Sequence, residues 1–532
     1  MPKPRPRHAA LLLAALLSAT PADAQQFDVM EATIASAQAA LQSGRTTCRA
    51  LVEQYLARIA AYDQAGPVLN AIQHVNERAL AEADSLDAAQ RAGRPLGPLH
   101  CVPVLLKDQV ETRDMPTTYG SAVFQGFVPQ RDATIVQRLE AAGAIILAKT
   151  TMGEFAARYV GSGFGIVRNA YDPTRNPSGS SGGSASGVAA NFGLVGIGED
   201  TGGSIRGPAA VSNLVGLRPT LPLVSRHGMM PATPTQDTMG PMTRSVADAA
   251  RVLDVIAGYD PNDPITAETV GRMPASYVTG LRADALRGVR IGVLRVDRNT
   301  PASRDSAVIS DSASRHVAEE YAKVRSVMDQ AIRDLRAQGA EVVDSFVIPT
   351  LADRRMSNDF ETEQATDDYL SGHANAPVKT LKEILLAGTV NPWRARGLIN
   401  LVGRRTSDPG YLTVLQQRAG LRTAVLKAMA DARLDAIVYA TYDAPPTPIA
   451  ADVLTNPRPV DAYGRGDNRG LSPTIGFPAL TVPAGFTSDA LPVGLEFLGR
   501  PFTEAALLGY GYAYEQATRH RRPPATTPAL SR

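Results

Sequence analysis

This sequence predicts a layered α/β architecture, on three observations. Short apolar runs of strand length recur along the chain, at residues 98–107, 144–148, 193–198, 289–294 and 434–439. Longer segments with apolar residues at helical spacing separate them throughout, the alternation that builds helices over a sheet. No fixed-period repeat is visible, which excludes a solenoid. The 532 residues exceed the usual size of one hydrophobic core, yet α/β enzymes often reach this length as one continuous domain. A hydrophobic content of 44% and a charged content of 20% are those of an ordinary globular protein.

Lys3, Arg5 and Arg7 precede an apolar run over residues 9–17, which gives way to Ala22-Asp23-Ala24. A basic head, a short apolar middle and an A-x-A site read as an export signal over residues 1–24, cut after Ala24, with a periplasmic or secreted product. The alternative is an uncleaved anchor, for which the run is short of the ~20 residues a spanning helix needs. Removing residues 1–24 takes away three basic residues and one acidic residue, which cancels the net charge of +2. A neutral chain has no general attraction for nucleic acid or anionic lipid. Its two cysteines, Cys48 and Cys101, form one disulfide or remain two buried thiols. Neither has the spacing of a metal site, so no metal is expected.

After the leader, residues 30–41 have helical spacing and Gly44 stops them; Thr46 or Thr47 caps a second helix through 51–59. Residues 70–91 read as a short strand and an alanine-rich helix. The run 98–107, PLHCVPVLLK, then ends in Lys107 in a chain that otherwise favours arginine. A lysine at the end of an apolar strand is desolvated, which favours the neutral amine and makes it a base. Alternatively it snorkels to solvent or pairs with Asp108. Thr117 to Ser121 is a polar turn, 133–142 a helix ended by Gly143, and 144–148 a buried strand before Lys149, read as structural.

Between Asn176 and Pro219 lie two Gly/Ser clusters, Gly179-Ser180-Ser181-Gly182-Gly183 and Thr201-Gly202-Gly203-Ser204, separated by small apolar residues. Glycine allows sharp turns and close approach to a ligand. The second cluster leads into a segment that opens a helix, whose first amides lack intrahelical partners. Free amides beside a serine are what acyl transfer needs to hold an oxyanion.

In order and spacing this stretch resembles the amidase signature family of serine hydrolases, from about Thr46 to about Thr518 and most weakly over 296–409. The resemblance implies a central mixed β-sheet flanked by helices and no cofactor. It implies catalysis by Ser204 as nucleophile, Ser180 in a cis peptide as proton bridge, and Lys107 as base. The backbone amides of Thr201, Gly202, Gly203 and Ser204 become the oxyanion hole, and Asp200 and Arg206 brace the loop. The expected activity is hydrolysis of a small-molecule amide through an acyl-enzyme, or of a carbamate or ester by the same three residues. Within the family the other possibility is the glutaminase-like subunit of a tRNA-dependent amidotransferase, against which the export signal argues. Where the family often carries asparagine this chain has Thr151.

Residues 214–220 and 237–248 continue the resemblance, with Ser245 as a helix cap. The polar region 296–409, helical at 319–338 and 381–386 and containing Trp393, reads as a variable cover over the site. Residues 472–485 resemble the family's closing strands, 504–518 a final helix, and 519–532 a loose tail.

Two rival readings come from the residues alone. Gly179 to Gly183 matches G-x-S-x-G, which makes Ser181 a nucleophile, but no strand precedes it and His227, His316, His373 and His520 lie in no triad context. The Gly-rich loops could instead cradle a phosphate, yet neither ends in G-K-[ST].

Overall fold

The computed structural model describes residues 27–295, 311–344, 346–349, 358–459 and 468–531. The expected leader and its cut after Ala24 lie outside the described residues, as does the side chain of His316. The first half contributes β1 (Ile72–Val75), β2 (Pro103–Lys107), β3 (Ile145–Thr150), the short pair β4 (Val160–Gly161) and β5 (Gly165–Ile166), β6 (Val195–Asp200), β7 (Val215–Arg218) and β8 (Thr238–Thr243). The second half adds β9 (Arg290–Val293), β10 (Glu341–Val343), β11 (Ala436–Ala440), β12 (Ala479–Phe486) and β13 (Pro492–Leu498). All but β4 and β5 join one eleven-stranded sheet in the order β1-β3-β2-β6-β8-β7-β12-β13-β11-β9-β10. It is mixed: β2 runs parallel to β3 and β6, whereas β8 is antiparallel to β6 and β7.

Helices cover the sheet: α1 (Ile34–Gln42), α2 (Cys48–Tyr62), α3 (Ala79–Arg91), α4 (Thr134–Ala141), α5 (Gly182–Ala189), α6 (Arg206–Val211), α7 (Val246–Ile256), α8 (Asp311–Ala337), α9 (Thr362–Ser371), α10 (Leu381–Leu386), α11 (Pro392–Ile399), α12 (Pro409–Asp431), α13 (Leu471–Ile475) and α14 (Glu504–Thr518). Caps follow the residue types: Thr47 accepts the Ala50 amide at the start of α2, and Ser245 that of Asp248 at α7. Every residue of β2 and of β6 is buried, so apolar side chains on both faces drive these strands into the core, each worth about 1.5–3 kcal/mol.

Small residues on α5 let it lie almost on the strands. A Cβ at Gly187 would meet Leu105 Cδ1 at 2.8 Å, and one at Gly183 would meet the Thr151 carbonyl oxygen at 2.3 Å. This close approach brings the first Gly/Ser cluster to the end of β2.

Three expectations change. The tail is not loose. Arg521 donates to the carbonyls of Asn213 and Ala189 and pairs with Glu31, while Arg58 of α2 donates to the carbonyls of Thr527 and Pro528. A buried guanidinium with several acceptors orders the segment around it. Second, the region 296–409 is not one cover. The buried face of α8, Val324, Met328, Ala331, Ile332 and Leu335, packs on β12, β13 and α14 as scaffold, and among the described residues of the region it is α9 to α11 that line the cavity described below. Third, residues 472–478 are not strand. They hold most of α13, which Gly476 ends at φ 73° before β12 begins. Of the two alternatives for the cysteines the disulfide holds: Cys48 and Cys101 are joined with Cα atoms 5.4 Å apart, fastening α2 to the segment that enters β2.

Candidate active site

Lys107 ends β2 with its side chain fully buried, and its Nζ lies 2.7 Å from Ser180 Oγ. Ser180 is itself buried, and the Gly179–Ser180 peptide is cis. Nζ also donates to Glu199, at 3.2 Å to the carbonyl and 2.8 Å to Oε2. Burial drives the Lys107 pKa down and the Glu199 charge opposes it; the net direction is below the ordinary lysine value, as a proton acceptor requires. Lys107 neither snorkels to water nor binds Asp108, whose carboxylate instead accepts the Thr118 and Gly120 amides.

Lys149, on the neighbouring strand, is also buried, with its pKa lowered to about 8 by burial. It donates to Thr117 Oγ1 at 2.7 Å, holding the polar turn that carries Tyr119.

Gly179 is required by space. A Cβ there would stand 1.6 Å from the Arg158 carbonyl oxygen and 2.2 Å from its carbon. Gly179→Ala must therefore shift one of the two backbones, at a cost of about 1–3 kcal/mol or more. The expected outcome is a lower urea midpoint together with loss of activity, because Ser180 follows directly.

The second cluster turns out of β6. Asp200, fully buried, accepts the Gly203 amide at 2.7 Å and the Ile205 amide at 3.2 Å. Arg206 Nε donates to its Oδ2 at 3.1 Å, Arg218 Nη1 approaches its Oδ1 at 3.3 Å, and Arg206 Nη1 pairs with Glu496. Burial alone would push the Asp200 carboxyl up, but the two guanidinium groups hold it well below the usual range. Ser204 sits half-buried at the tip of this turn, before α6. The Gly203 amide is spent on Asp200. Of the four amides expected to hold an oxyanion, those of Thr201, Gly202 and Ser204 have no acceptor among the described residues.

A narrow cavity, partly open to solvent, lies near the cluster. Its lining includes Gln109, Tyr119, Met152, Phe155, Met230 and Arg394. Gln109 follows Lys107 by two residues, and Gly153, next to Met152, donates its amide to the Ser180 carbonyl at 3.1 Å. Tyr119, Phe155 and Ala156 line it with positive φ, at 57°, 46° and 59°. Non-glycine residues held there are strained, and such strain gathers where a site is shaped for a ligand.

Ser181 does not fit a nucleophile. Its buried hydroxyl bonds the Glu199 carbonyl at 3.2 Å, while His227 and His373 bond Thr134 and the Tyr369 carbonyl elsewhere and His520 lies 3.8 Å from Asp334. Among the described residues the one group with metal-ligand geometry is Cys48, His100 and Cys101, and its two sulfurs are joined to each other.

A family model described as Amidase matches residues 50–508. The chain belongs to the amidase signature family. This amidase is 34% identical to the glutamyl-tRNA(Gln) amidotransferase A subunit of Rhodopirellula baltica, over 92% of its length and 97% of that protein. It is 32% identical to a probable amidase of Arabidopsis thaliana, over 94% and 92% of the two chains. Among solved structures it is similar to native peptide amidase of Stenotrophomonas maltophilia, with a TM-score of 0.79 and 36% identity, covering 93% of this amidase and 99% of that chain. The fold is thus the layered α/β amidase fold, and the enzyme acts on amide C–N bonds.

Sequence reasoning missed two groups of this amidase site, Glu199 and Asp237. Glu199 stands near the end of a fully buried strand, which is itself a signal, since a carboxylate there needs a cation. Asp237 lies in a loop with no such mark.

Proposed function

We propose that this amidase is a free-standing, exported amidohydrolase that cleaves small amides through an acyl-enzyme on Ser204. The observation that carries this reading is the 2.7 Å contact between two fully buried groups, Lys107 Nζ and Ser180 Oγ. A neutral Lys107 accepts a proton through Ser180 as Ser204 Oγ attacks the carbonyl carbon. The amides of Thr201, Gly202 and Ser204 receive the oxyanion, and Ser180 returns the proton to the leaving amine. Water then releases the acid by the same path in reverse. Removing one such donor typically costs on the order of 10² to 10³ in rate.

The cavity lining favours an apolar or aromatic substituent on the substrate, with Gln109 Oε1 and Arg394 Nε as buried polar atoms that lack partners among the described residues. The similarity to a peptide amidase supports an amide substrate. Export is supported by the basic, apolar and A-x-A pattern of residues 1–24 and by the Cys48–Cys101 bridge. A second reading, a glutaminase component that serves a tRNA-dependent transferase, is favoured by the amidotransferases among the curated relatives.

The test is a fluorophosphonate probe, followed by a panel of aryl amides, peptide amides, carbamates, esters and glutamine with products identified by mass. Labelling at Ser204 and turnover of an apolar amide without any partner protein are expected. An unlabelled Ser204 overturns the nucleophile, and glutamine as sole substrate favours the second reading.

A further inference from the structure

Behind Lys107 lies an arrangement that the acyl-transfer steps do not use. Thr201 Oγ1 is 2.5 Å from Glu199 Oε1 and 2.7 Å from Asp237 Oδ1. A threonine hydroxyl has one hydrogen to donate. Two contacts this short to two carboxyl groups are both hydrogen bonds only if one carboxyl is protonated and donates to the hydroxyl. Glu199 and Asp237 are both fully buried, so neither relieves the conflict through bulk water. The other Glu199 oxygen, Oε2, faces Lys107 Nζ at 2.8 Å. Asp237 also accepts the amides of Ala232 at 2.8 Å and Thr233 at 2.9 Å on Oδ2.

The surrounding charges are committed elsewhere. Arg206 and Arg218 are bonded to Asp200, and Arg218 Nη2 donates to the Gln236 carbonyl at 2.6 Å. Arg226 binds Asp263 through Nε and Nη2. Among the described residues, Lys107 is the one cation in contact with either carboxyl group. Beside a neutral Lys107, two buried carboxylates would leave two uncompensated charges, and a single shared proton removes one of them.

We propose that Glu199 and Asp237 hold one proton between them through Thr201, and that this shared proton sets how tightly Lys107 holds its own. This rests on the acyl-transfer reading above and makes both acids positioning residues of the base. The chain runs from Asp237 Oδ1–H to Thr201 Oγ1, from the Thr201 hydrogen to Glu199 Oε1, and from Glu199 Oε2 to Lys107 Nζ. When Lys107 takes the Ser204 proton through Ser180, the Glu199 carboxylate meets the new ammonium. When the proton goes on to the leaving amine the chain is as before, so no proton enters or leaves it. Burial, and then the Glu199 charge, push Asp237 up to about 7, so the shared proton is present below that pH and lost above it. Its loss adds a second negative charge near Lys107 and strengthens the grip on the lysine proton.

The experiment follows kcat/KM, and in parallel the rate of fluorophosphonate labelling, across about pH 5 to 9 for the full chain and for Asp237→Asn. The variant keeps a donor towards Thr201 but cannot ionise. Above about pH 7, where wild type has lost the shared proton, the ascending limb of the variant is expected to lie at lower pH by about one unit, whereas below that pH the two carry the same charge and should coincide. Infrared titration of the carboxylic-acid carbonyl band needs no catalysis. Glu140 and Glu515 are also raised to about 7, so the signal is read as the difference between wild type and Asp237→Asn: one component of the wild-type band, missing in the variant, should vanish with a midpoint of about 7. In Glu199→Gln the midpoint should fall by about one unit, because the competing charge is gone. Equal loss of rate at every pH with an unmoved limb, or a band whose midpoint ignores Glu199→Gln, overturns the proposal. A wild-type enzyme that neither labels nor turns over overturns the acyl-transfer reading instead, and leaves the infrared result standing.

Discussion

Ser204→Ala is expected to lower kcat by about a million-fold while the protein stays folded, and Ser180→Ala to approach the same loss. Residues that act as one unit are non-additive in this way, so the double variant should be scarcely slower than either single one. Ser204 sits half-buried at the tip of a turn, so its hydroxyl carries little of the packing of the core. Circular dichroism and the urea midpoint should therefore match wild type. Single-turnover kinetics with an apolar amide would read the chemical step directly. Retention of more than a few per cent of the rate in purified Ser204→Ala would remove this serine from the reaction.

The second large effect is on stability. Asp200→Asn leaves Arg206 and Arg218 buried with one anionic partner removed, and breaking a buried ion pair this way typically costs about 3–5 kcal/mol. The Asn side chain also weakens the hold on the Gly203 and Ile205 amides, which fixes the turn around Ser204. Activity should fall with stability. The sign with pH is set by the depressed Asp200 pKa. An unfolded aspartate titrates near pH ~4, and the folded one below it, so the stabilisation is complete above that pH and lost as pH falls through the folded value. Urea midpoints measured from about pH 7 to pH 3 should fall more steeply for wild type than for Asp200→Asn.

Much of the site was legible because its chemistry leaves marks on the chain. An apolar run that ends in lysine and two Gly/Ser clusters around a stretch of small residues are local signals, and the family resemblance joined Lys107, Ser180 and Ser204 across the sequence. Local pattern could not tell which amides are free. That Gly203 spends its N–H on Asp200 depends on how the turn folds back on its own carboxylate. It also could not tell that α8 is scaffold while α9 to α11 line a cavity, since polar amphipathic helices look alike until their buried faces have partners. The Thr201 and Asp237 side chains are 36 residues apart in sequence and meet only because β6 and β8 pair antiparallel, Asp200 opposite Thr238.

The order of strands has a consequence for how such a chain is made. Late strands β12 and β13 stand between the early strand β7 and β11, and Arg58 of α2, which donates to the carbonyls of Ala190 and Asn191, also donates to those of Thr527 and Pro528. Elements synthesised first therefore wait for partners synthesised last. A nascent polypeptide of this design cannot close its central sheet beside β7 until β12 and β13 have emerged, and an unclosed sheet is the state in which the proposed export would thread it through a translocon.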